Sequence, residues 1–256
     1  MSGSSLNTTP GDEPEPPTPH PAQAGGARVA LSAELPPGFR VPDDPADPVW
    51  RVQRDLATGL HQLGRLLVTS AASIDALGQV EQLVQRARAV LEAAPSRTFL
   101  AAHYARSGGD EHEYWADRGP VIGRSNPASP PIELRVDGDQ VRGSVCFDDL
   151  FQGAPGCVHG GQIAAGFDHV LGAAALRRGV VCMTGKLSVK YRRPTRLSVP
   201  LEFCARIKSV VGRATVVTGE LTDAQGITAE AEGMFVELSP SQMQALLDAH
   251  PSAEQP

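Results

Sequence analysis

Hydrophobic residues recur at helical spacing in two stretches of the first hundred residues. The first stripe follows steps of three and four along the chain: Val49, Val52, Leu56, Leu60, Leu63 and Leu67. The second stripe has similar spacing and stops at Pro95: Leu77, Val80, Leu83, Val84, Ala87, Val90 and Leu91. Such stripes are typical of amphipathic helices. We predict an accessory helical region over residues 49–118, packed on the main domain or on a partner subunit.

After a loop rich in Gly, Pro and Ser, the hydrophobic period changes to two. Ile132, Leu134 and Val136 alternate with charged residues, and a second alternating run follows Asp137-Gly138, a strong β-hairpin signal. Residues 160–178 contain no proline and show helical spacing. Four further alternating runs lie at 187–191, 201–207, 214–221 and 227–238. This order predicts an α+β domain over residues 119–240, with one long central helix packed against an antiparallel sheet.

Both ends of the chain differ from this central part. Eleven of the 22 prolines lie in the first 48 residues, and residues 1–28 contain no aromatic side chain. Such a segment buries too little surface to offset its ordering entropy. We therefore predict a disordered, Pro-rich tail and linker over residues 1–48. A C-terminal tail follows over 241–256, with a short amphipathic piece at 243–247.

Composition and charge exclude several classes of protein. Hydrophobic residues make up 41% of the 256 residues, as in an ordinary globular chain. The net charge of −6 gives no general attraction for nucleic acid. No apolar run reaches the ~18 residues that a membrane-spanning helix needs, and the first residues lack the features of a secretory signal.

Cysteine and histidine spacings give little support for a metal site. The four cysteines contain no CxxC pair, and His103 and His112 have no shared periodic frame. We expect no metal, no disulfide and no organic cofactor, and the cysteine usage fits a reducing cytoplasm.

The segment that carries chemistry runs from Gly153 to Asp168. A Pro-Gly turn leads into His159-Gly160-Gly161, where the long helix begins. The first turn of a helix has N–H groups without intrahelical partners, and glycines let a ligand approach them. This arrangement suits a polarised carbonyl oxygen. A stripe of small residues on the helix contains one carboxylate, Asp168, which either faces solvent or belongs to a site.

His159-Gly160-Gly161, with Asp168 nine residues after the histidine, resembles the signature of the hotdog-fold acyl-CoA thioesterases. The resemblance is greatest to the phenylacetate-pathway (PaaI-like) branch and to the human mitochondrial members of the superfamily. It continues through the strand at 181–194, which has Thr184 near its start and a Tyr-x-Arg-Pro-like end. The resemblance covers residues 132–238 and implies a hotdog fold with an N-terminal helical extension.

This resemblance also implies roles for individual residues. Asp168 would be the catalytic carboxylate, as nucleophile or as general base on a water molecule. The N–H of Gly161 would polarise the thioester carbonyl, Thr184 would position the water or the intermediate, and His159 would support the turn. The remaining implied residues contact substrate: Gly160, and Gln152 in place of an upstream Asn. Lys190, Arg192 and Arg193 cluster at a strand end and either bind CoA phosphates or simply face solvent.

Helix geometry adds an expectation about assembly. Gly161 and Asp168 are seven residues apart, so they lie about 10 Å apart along the axis. One thioester group cannot reach both, because a nucleophile must approach the carbon within ~3–3.5 Å. Two subunits should therefore share each site, in a homodimer or a dimer of dimers.

The expected activity is hydrolysis of an acyl-CoA thioester, within lipid metabolism. Two alternatives remain open. One is a hotdog hydratase or dehydratase, which usually pairs a carboxylate with a catalytic histidine. The other is a non-catalytic module that binds acyl-CoA or lipid.

Overall fold

A computed structural model describes residues 30–44, 48–94 and 116–248. Two helices come first, α1 (Pro48–Thr69) and α2 (Ile74–Glu92). The central helix α3 (Gly160–Leu176) and a C-terminal helix α4 (Pro240–Asp248) follow later in the chain. The strands are β1 (Glu133–Asp137), β2 (Gln140–Val145), β3 (Cys182–Tyr191), β4 (Leu201–Val211), β5 (Ala214–Asp223) and β6 (Gly226–Glu237).

The six strands form one antiparallel sheet in the order β1-β2-β4-β5-β6-β3. The hairpin β1–β2 turns at Gly138, whose φ of 60° is the left-handed conformation that glycine adopts without strain. β3 pairs only with β6, so it lies at one edge of the sheet while β1 lies at the other. Both the hairpin and the four later strands were predicted from the alternating runs.

Helix α3 packs its bulky side chains against one face of the sheet. Phe167, Val170 and Leu171 are completely buried there. The Phe167 ring meets Phe203 of β4 edge to face, with centroids 5.1 Å apart. Gly166 allows this approach, because a Cβ atom at that position would lie 2.5 Å from the Phe203 ring. The predicted α+β fold, with a long helix on an antiparallel sheet, is confirmed.

Helix α1 contacts the domain through a face that the hydrophobic pattern does not predict. Trp50 and Ala57 are its buried residues, whereas the predicted stripe is exposed at Val52, Leu56, Leu60 and Leu67. Trp50 donates a hydrogen bond to the buried carboxylate of Asp117. Arg54 pairs with the same carboxylate at 2.9 Å. A long-range ion pair therefore orients α1, and its apolar stripe turns away from the domain.

Residues 30–44 also differ from the prediction of an unstructured linker. Leu35, Phe39 and Val41 pack against the core of the domain. The Arg177 guanidinium, at the end of α3, donates to the Ser32 carbonyl at 2.7 Å. This segment therefore lies against the domain, since three apolar residues next to its prolines are partly buried.

Several sequence predictions fall outside the described residues. They concern residues 1–29 of the predicted tail, His103, His112 and the polar stretch around them, and the chain end after 248. In the part of the chain that the structure describes, no helix is both long and apolar enough to cross a membrane.

Candidate active site

The N-terminus of α3 is capped by the histidine that precedes its two glycines. His159 has an extended backbone, with φ −62° and ψ 132°, and its Nδ1 accepts the Gly161 N–H at 3.0 Å. The Gly161 N–H, predicted to polarise a carbonyl, is thus bonded to its own cap in this structure. Within the described residues, the Gly160 N–H has no acceptor. The predicted support of the turn by His159 takes the physical form of an N-cap.

Tyr191, at the end of β3, holds the first glycine of this turn. Its hydroxyl donates to the Gly160 carbonyl at 2.7 Å. A Cβ atom on Gly160 would lie 3.2 Å from the tyrosine ring and hydroxyl, so glycine permits the close contact. Sequence analysis assigned Tyr191 no role, although it lies in the Tyr-x-Arg-Pro-like strand end. The sequence feature that could have indicated a role is a large aromatic residue at the end of an alternating strand.

The structure brings Asp168 and Thr184 together. The Thr184 hydroxyl donates to Asp168 Oδ1 at 2.8 Å. Asp168 is half-buried on α3, while Thr184 is exposed on the edge strand β3. The hydrogen bond to Oδ1 leaves Oδ2 of the carboxylate able to accept another proton donor. The pair therefore lies at the open edge of the sheet.

Gln152 turns its side chain toward its own loop. Its Oε1 accepts the Gly156 N–H at 3.0 Å, and its backbone forms a bridge with Val158. The loop passes close to the helix start, because a Cβ atom on Gly153 would lie 2.8 Å from the His159 Cα. In this arrangement Gln152 shapes the turn that positions His159.

Two of the three predicted phosphate ligands are already paired with carboxylates. Arg192 donates to Glu230 at 2.8 Å through its Nε. Arg193 binds Asp223, and this hydrogen bond holds the pKa of the Asp223 carboxyl below its usual range. Lys190 is exposed and makes no ion pair with any residue that the structure describes. Of the three cations, Lys190 is the one available to an external anion.

A cavity of about 470 Å³ lies at the start of α3. His159, Gly160, Tyr191 and the two arginines are among the residues that line it. Thr195 also lines it, is 3% exposed, and its hydroxyl has no hydrogen-bond partner within the described residues. A buried hydroxyl without a partner is costly in the free protein. Sequence analysis missed Thr195, because a single threonine in a loop carries no pattern.

Two larger cavities lie away from this turn. One, of about 600 Å³, is enclosed by α1, the loop at 123–131 and the end of β2. The other, of about 590 Å³, lies on the face of the sheet opposite α3. Neither contains Asp168, Thr184 or the capped turn.

His169 is adjacent to Asp168 in sequence but points elsewhere. Its ring packs on Phe39 with centroids 4.6 Å apart, and burial lowers its pKa to about 4. Its Nε2 is buried without a partner in the described part of the chain. This geometry directs the His169 ring away from the Asp168 carboxylate. Within the same residues, no group of three or more His, Cys, Asp or Glu side chains could hold a metal ion.

Comparison with known proteins identifies the family. The model of the thioesterase superfamily matches residues 155–230. The rat acyl-coenzyme A thioesterase THEM4 is 34% identical over 91 residues, which are 35% of this chain and 39% of that protein. This chain thus aligns with well under half the length of that curated relative.

Solved structures extend the comparison over most of the chain. A crystal structure described as a thioesterase superfamily protein is 30% identical, with a TM-score of 0.61. The match covers 82% of this chain and 98% of that one. The E. coli PaaI protein from the phenylacetic acid degradation operon matches at 16% identity and a TM-score of 0.41, over 43% of this chain and 81% of that one. On the sequence motif, the fold and the long match to the first of these structures, the chain belongs to the thioesterase superfamily.

Proposed function

We propose that this protein hydrolyses an acyl-CoA thioester to a free acid and CoA, at a site that two copies share. The observation that carries the proposal is the pair formed by Asp168 and Thr184 at the open edge of the sheet. The printed names of the mammalian relatives, acyl-coenzyme A thioesterase, support this substrate class.

Asp168 would supply the carboxylate that either attacks the thioester carbon or activates a water molecule. As a general base, its free carboxylate oxygen takes a proton from water while the water oxygen bonds to the thioester carbon. The C–S bond then breaks, and the CoA thiolate leaves and takes up a proton. As a nucleophile, the carboxylate itself bonds to the carbon, the C–S bond breaks and the CoA thiolate leaves with uptake of a proton. Water then hydrolyses the resulting anhydride to the free acid and the Asp168 carboxylate. In both routes the Thr184 hydroxyl fixes the orientation of the carboxylate.

The N-terminus of α3 would bind the carbonyl oxygen. Its free donor in the structure is the Gly160 N–H, and the Gly161 N–H joins it once the His159 ring rotates away. Backbone donors of this kind stabilise the negative charge that develops on the oxygen. The Tyr191 hydroxyl binds the Gly160 carbonyl, which belongs to the same peptide unit as the Gly161 N–H and so orients that donor.

Distance along α3 requires the two halves to come from different copies. Gly161 and Asp168 are separated by seven residues, or about 10 Å. The edge strand β3 has a row of backbone groups without a partner strand, and an antiparallel copy of β3 would satisfy them. Such pairing would bring the Asp168 of one copy near the helix start of the other.

CoA would contact the surface next to this site. Lys190 offers a free ammonium group for a phosphate, while Arg192 and Arg193 must exchange carboxylates for phosphate oxygens to contribute. The cavity beside Thr195 would hold an uncharged part of the substrate.

The four cysteines are free thiols, which supports the reducing cytoplasm as the compartment.

A binding module without catalysis is the second candidate. The hydrogen bond from Gly161 to His159 favours it, because that bond occupies one predicted oxyanion donor. A hydratase is less well supported, since the ring of His169 packs on Phe39 rather than on the Asp168 carboxylate.

Release of free thiol from acyl-CoA tests the proposal. We expect Asp168→Asn to lower kcat by at least ~10²-fold while melting stays within a few degrees, because the change keeps size and hydrogen bonding. Asp55→Asn, at an exposed position on α1, is the matched control and should leave turnover unchanged. Near-normal thiol release by Asp168→Asn across a panel of acyl-CoAs would contradict the proposed mechanism.

A further inference from the structure

Arg193 follows the end of β3 and lines the cavity at the start of α3. Most of the donors of its guanidinium group are engaged within the chain. Nη1 and Nη2 donate to the two carboxylate oxygens of Asp223, and the bond from Nη1 is 2.8 Å long. Nη2 also donates to the Gly226 carbonyl at 2.8 Å, and Nε donates to the Ile227 carbonyl at 3.2 Å. These bonds use four of the N–H donors, of which a guanidinium group has five.

These bonds join the end of β3 to the turn between β5 and β6. Asp223 is the last residue of β5, its side chain is 9% exposed, and it also accepts the Gln225 N–H at 2.7 Å. The neighbouring Arg192 contacts a single oxygen of Glu230, whose side chain is 34% exposed. A paired contact to a nearly buried carboxylate is costly to break, because it leaves that charge uncompensated. Arg193 is therefore poorly suited to leave Asp223 for a phosphate.

The segment 191–197 around this arginine supports the turn before α3 on both sides. Two residues before the arginine, the Tyr191 hydroxyl donates to the Gly160 carbonyl at 2.7 Å. Two residues after it, the Thr195 carbonyl accepts the Val158 N–H at 2.9 Å. The first contact holds the glycine that begins the helix, and the second holds the residue before the N-cap histidine. An arginine fixed between these two contacts limits the movement of both.

We propose that Arg193 is a positioning residue for thioester hydrolysis. Its bonds to the β5–β6 turn fix segment 191–197, and this segment fixes the turn that presents the Gly160 and Gly161 N–H groups to the carbonyl oxygen. The inference rests on the proposed function of those N–H groups. Precise placement matters there, because a displacement of ~1 Å can cost ~10²-fold in rate. In this role Arg193 keeps its bonds to Asp223 and makes no contact with CoA.

Amide hydrogen exchange tests the positioning role without any substrate. Arg193→Gln removes the paired contact to the carboxylate. We expect the amides of residues 156–161 to exchange at least ~10-fold faster than in the wild type, since local opening of the turn becomes easier. Arg213→Gln is the matched control. Arg213 lies between β4 and β5 and donates to the Glu237 carbonyl of β6 at 3.1 Å, so its loss should leave exchange at 156–161 unchanged.

Kinetics separate a positioning role from a phosphate contact. Thiol release is measured with the acyl-CoA that the wild type hydrolyses fastest, and with the pantetheine thioester of the same acyl group, which has no phosphate. Arg193→Gln should lower kcat by about 10-fold on both substrates and change KM by less than about two-fold. Arg213→Gln should leave both constants unchanged. A rise in KM for acyl-CoA alone would identify Arg193 as a phosphate ligand and overturn the proposal.

Asp223→Asn distinguishes the same two roles by the sign of its effect. The variant weakens the pair with Arg193 from the other side and retains an acceptor for the Gln225 N–H. If Arg193 positions the turn, kcat falls as it does in Arg193→Gln. If Arg193 binds phosphate, release of its guanidinium group lowers KM for acyl-CoA, and the proposal is wrong.

The two measurements also separate this proposal from the proposed function. Unchanged exchange at 156–161 in Arg193→Gln overturns the positioning role. A wild type without thiol release overturns the proposed hydrolysis and the catalytic part of this role, while faster exchange in the variant still supports the part that concerns the turn. If Arg193→Gln fails to fold, Arg193→Lys replaces it in both measurements, because lysine keeps the charge and cannot form the paired contact.

Discussion

Thr195 lines the cavity at the start of α3, and its hydroxyl gives a test of whether part of the substrate enters that cavity. Its hydroxyl is buried beside the capped turn with no hydrogen-bond partner among the described residues. Thr195→Val keeps the shape and removes the hydroxyl. We expect the free energy of unfolding to rise by about 1 kcal/mol, since an unsatisfied buried group is lost. We also expect KM for acyl-CoA to rise several-fold, measured by thiol release.

Thr228 provides the matched control for this change. It is completely buried too, but its hydroxyl donates to the Leu221 carbonyl at 3.2 Å. Thr228→Val should therefore lower stability and leave KM unchanged. If Thr195→Val instead lowers stability and has a normal KM, an internal partner satisfies the hydroxyl and the ligand contact is wrong.

His169 makes the stability of the protein depend on pH. Burial lowers its pKa to about 4, against about 6.5 in an unfolded chain. Between these values the unfolded chain binds a proton that the folded chain does not, so stability falls as pH falls from 6.5 to 4. The full effect of the shift is about 3 kcal/mol.

The variant His169→Phe isolates this contribution. It keeps a ring against Phe39 and removes the titrating group. Urea midpoints at pH 7, 5.5 and 4.5 should therefore decline less steeply in the variant than in the wild type. Parallel declines would show that the pKa of His169 is the same in the folded and the unfolded chain.

Two glycines in helices should respond in opposite ways to the same substitution. Gly166→Ala in α3 places a Cβ atom 2.5 Å from Phe203, so we expect a loss of 1–3 kcal/mol from overpacking, partly offset by helix propensity. Gly59→Ala in α1 meets nothing within 4 Å and should gain about 0.5–1 kcal/mol. Urea denaturation measures both. A loss at Gly59 of the size expected at Gly166 would contradict this packing of the helices.

The elements of the fold were predictable because their patterns are local. The alternating runs and the Asp137-Gly138 turn define the strands, and the proline-free stretch after Gly160 defines α3. Local patterns predicted the wrong contact face for α1. Apolar spacing does not reveal the ion pair between Arg54 and Asp117, which lies 63 residues later in the chain. An apolar stripe shows that a helix has a partner, and it does not identify the partner.

The candidate site was predictable where residues carry a motif. His159, Gly161 and Asp168 belong to one motif and Thr184 to the strand segment at 181–194 that continues the resemblance. The structure pairs Asp168 with Thr184. Two features of the site depend on how the loop at 194–197 packs against the turn before α3: the burial of Thr195 and the hydrogen bond from Gly161 to His159. No local sequence pattern encodes that packing.

At the scale of the whole molecule, the proposed site draws on two places along one helix. The capped turn lies at the start of α3, and Asp168 lies two turns further along, next to the edge strand β3. Under the proposed function, a single copy holds half of each of two sites. This arrangement makes a distinctive prediction about mixtures of defective chains.

Two inactive variants, each defective in a different half of the proposed site, should recover activity when they form mixed dimers. Asp168→Asn removes the carboxylate, and Gly161→Val obstructs the helix start, because a Cβ atom there already lies 3.0 Å from the His159 ring. Each homodimer should be inactive. In a mixed dimer one site receives both intact halves and the other receives both defects. With random assembly half of the dimers are mixed, so refolding an equal mixture should recover about a quarter of wild-type thiol release. The control is the same two chains refolded separately and then combined without exchange, which should stay inactive. Activity that remains absent after verified subunit exchange would place the whole site within one copy and overturn the shared arrangement.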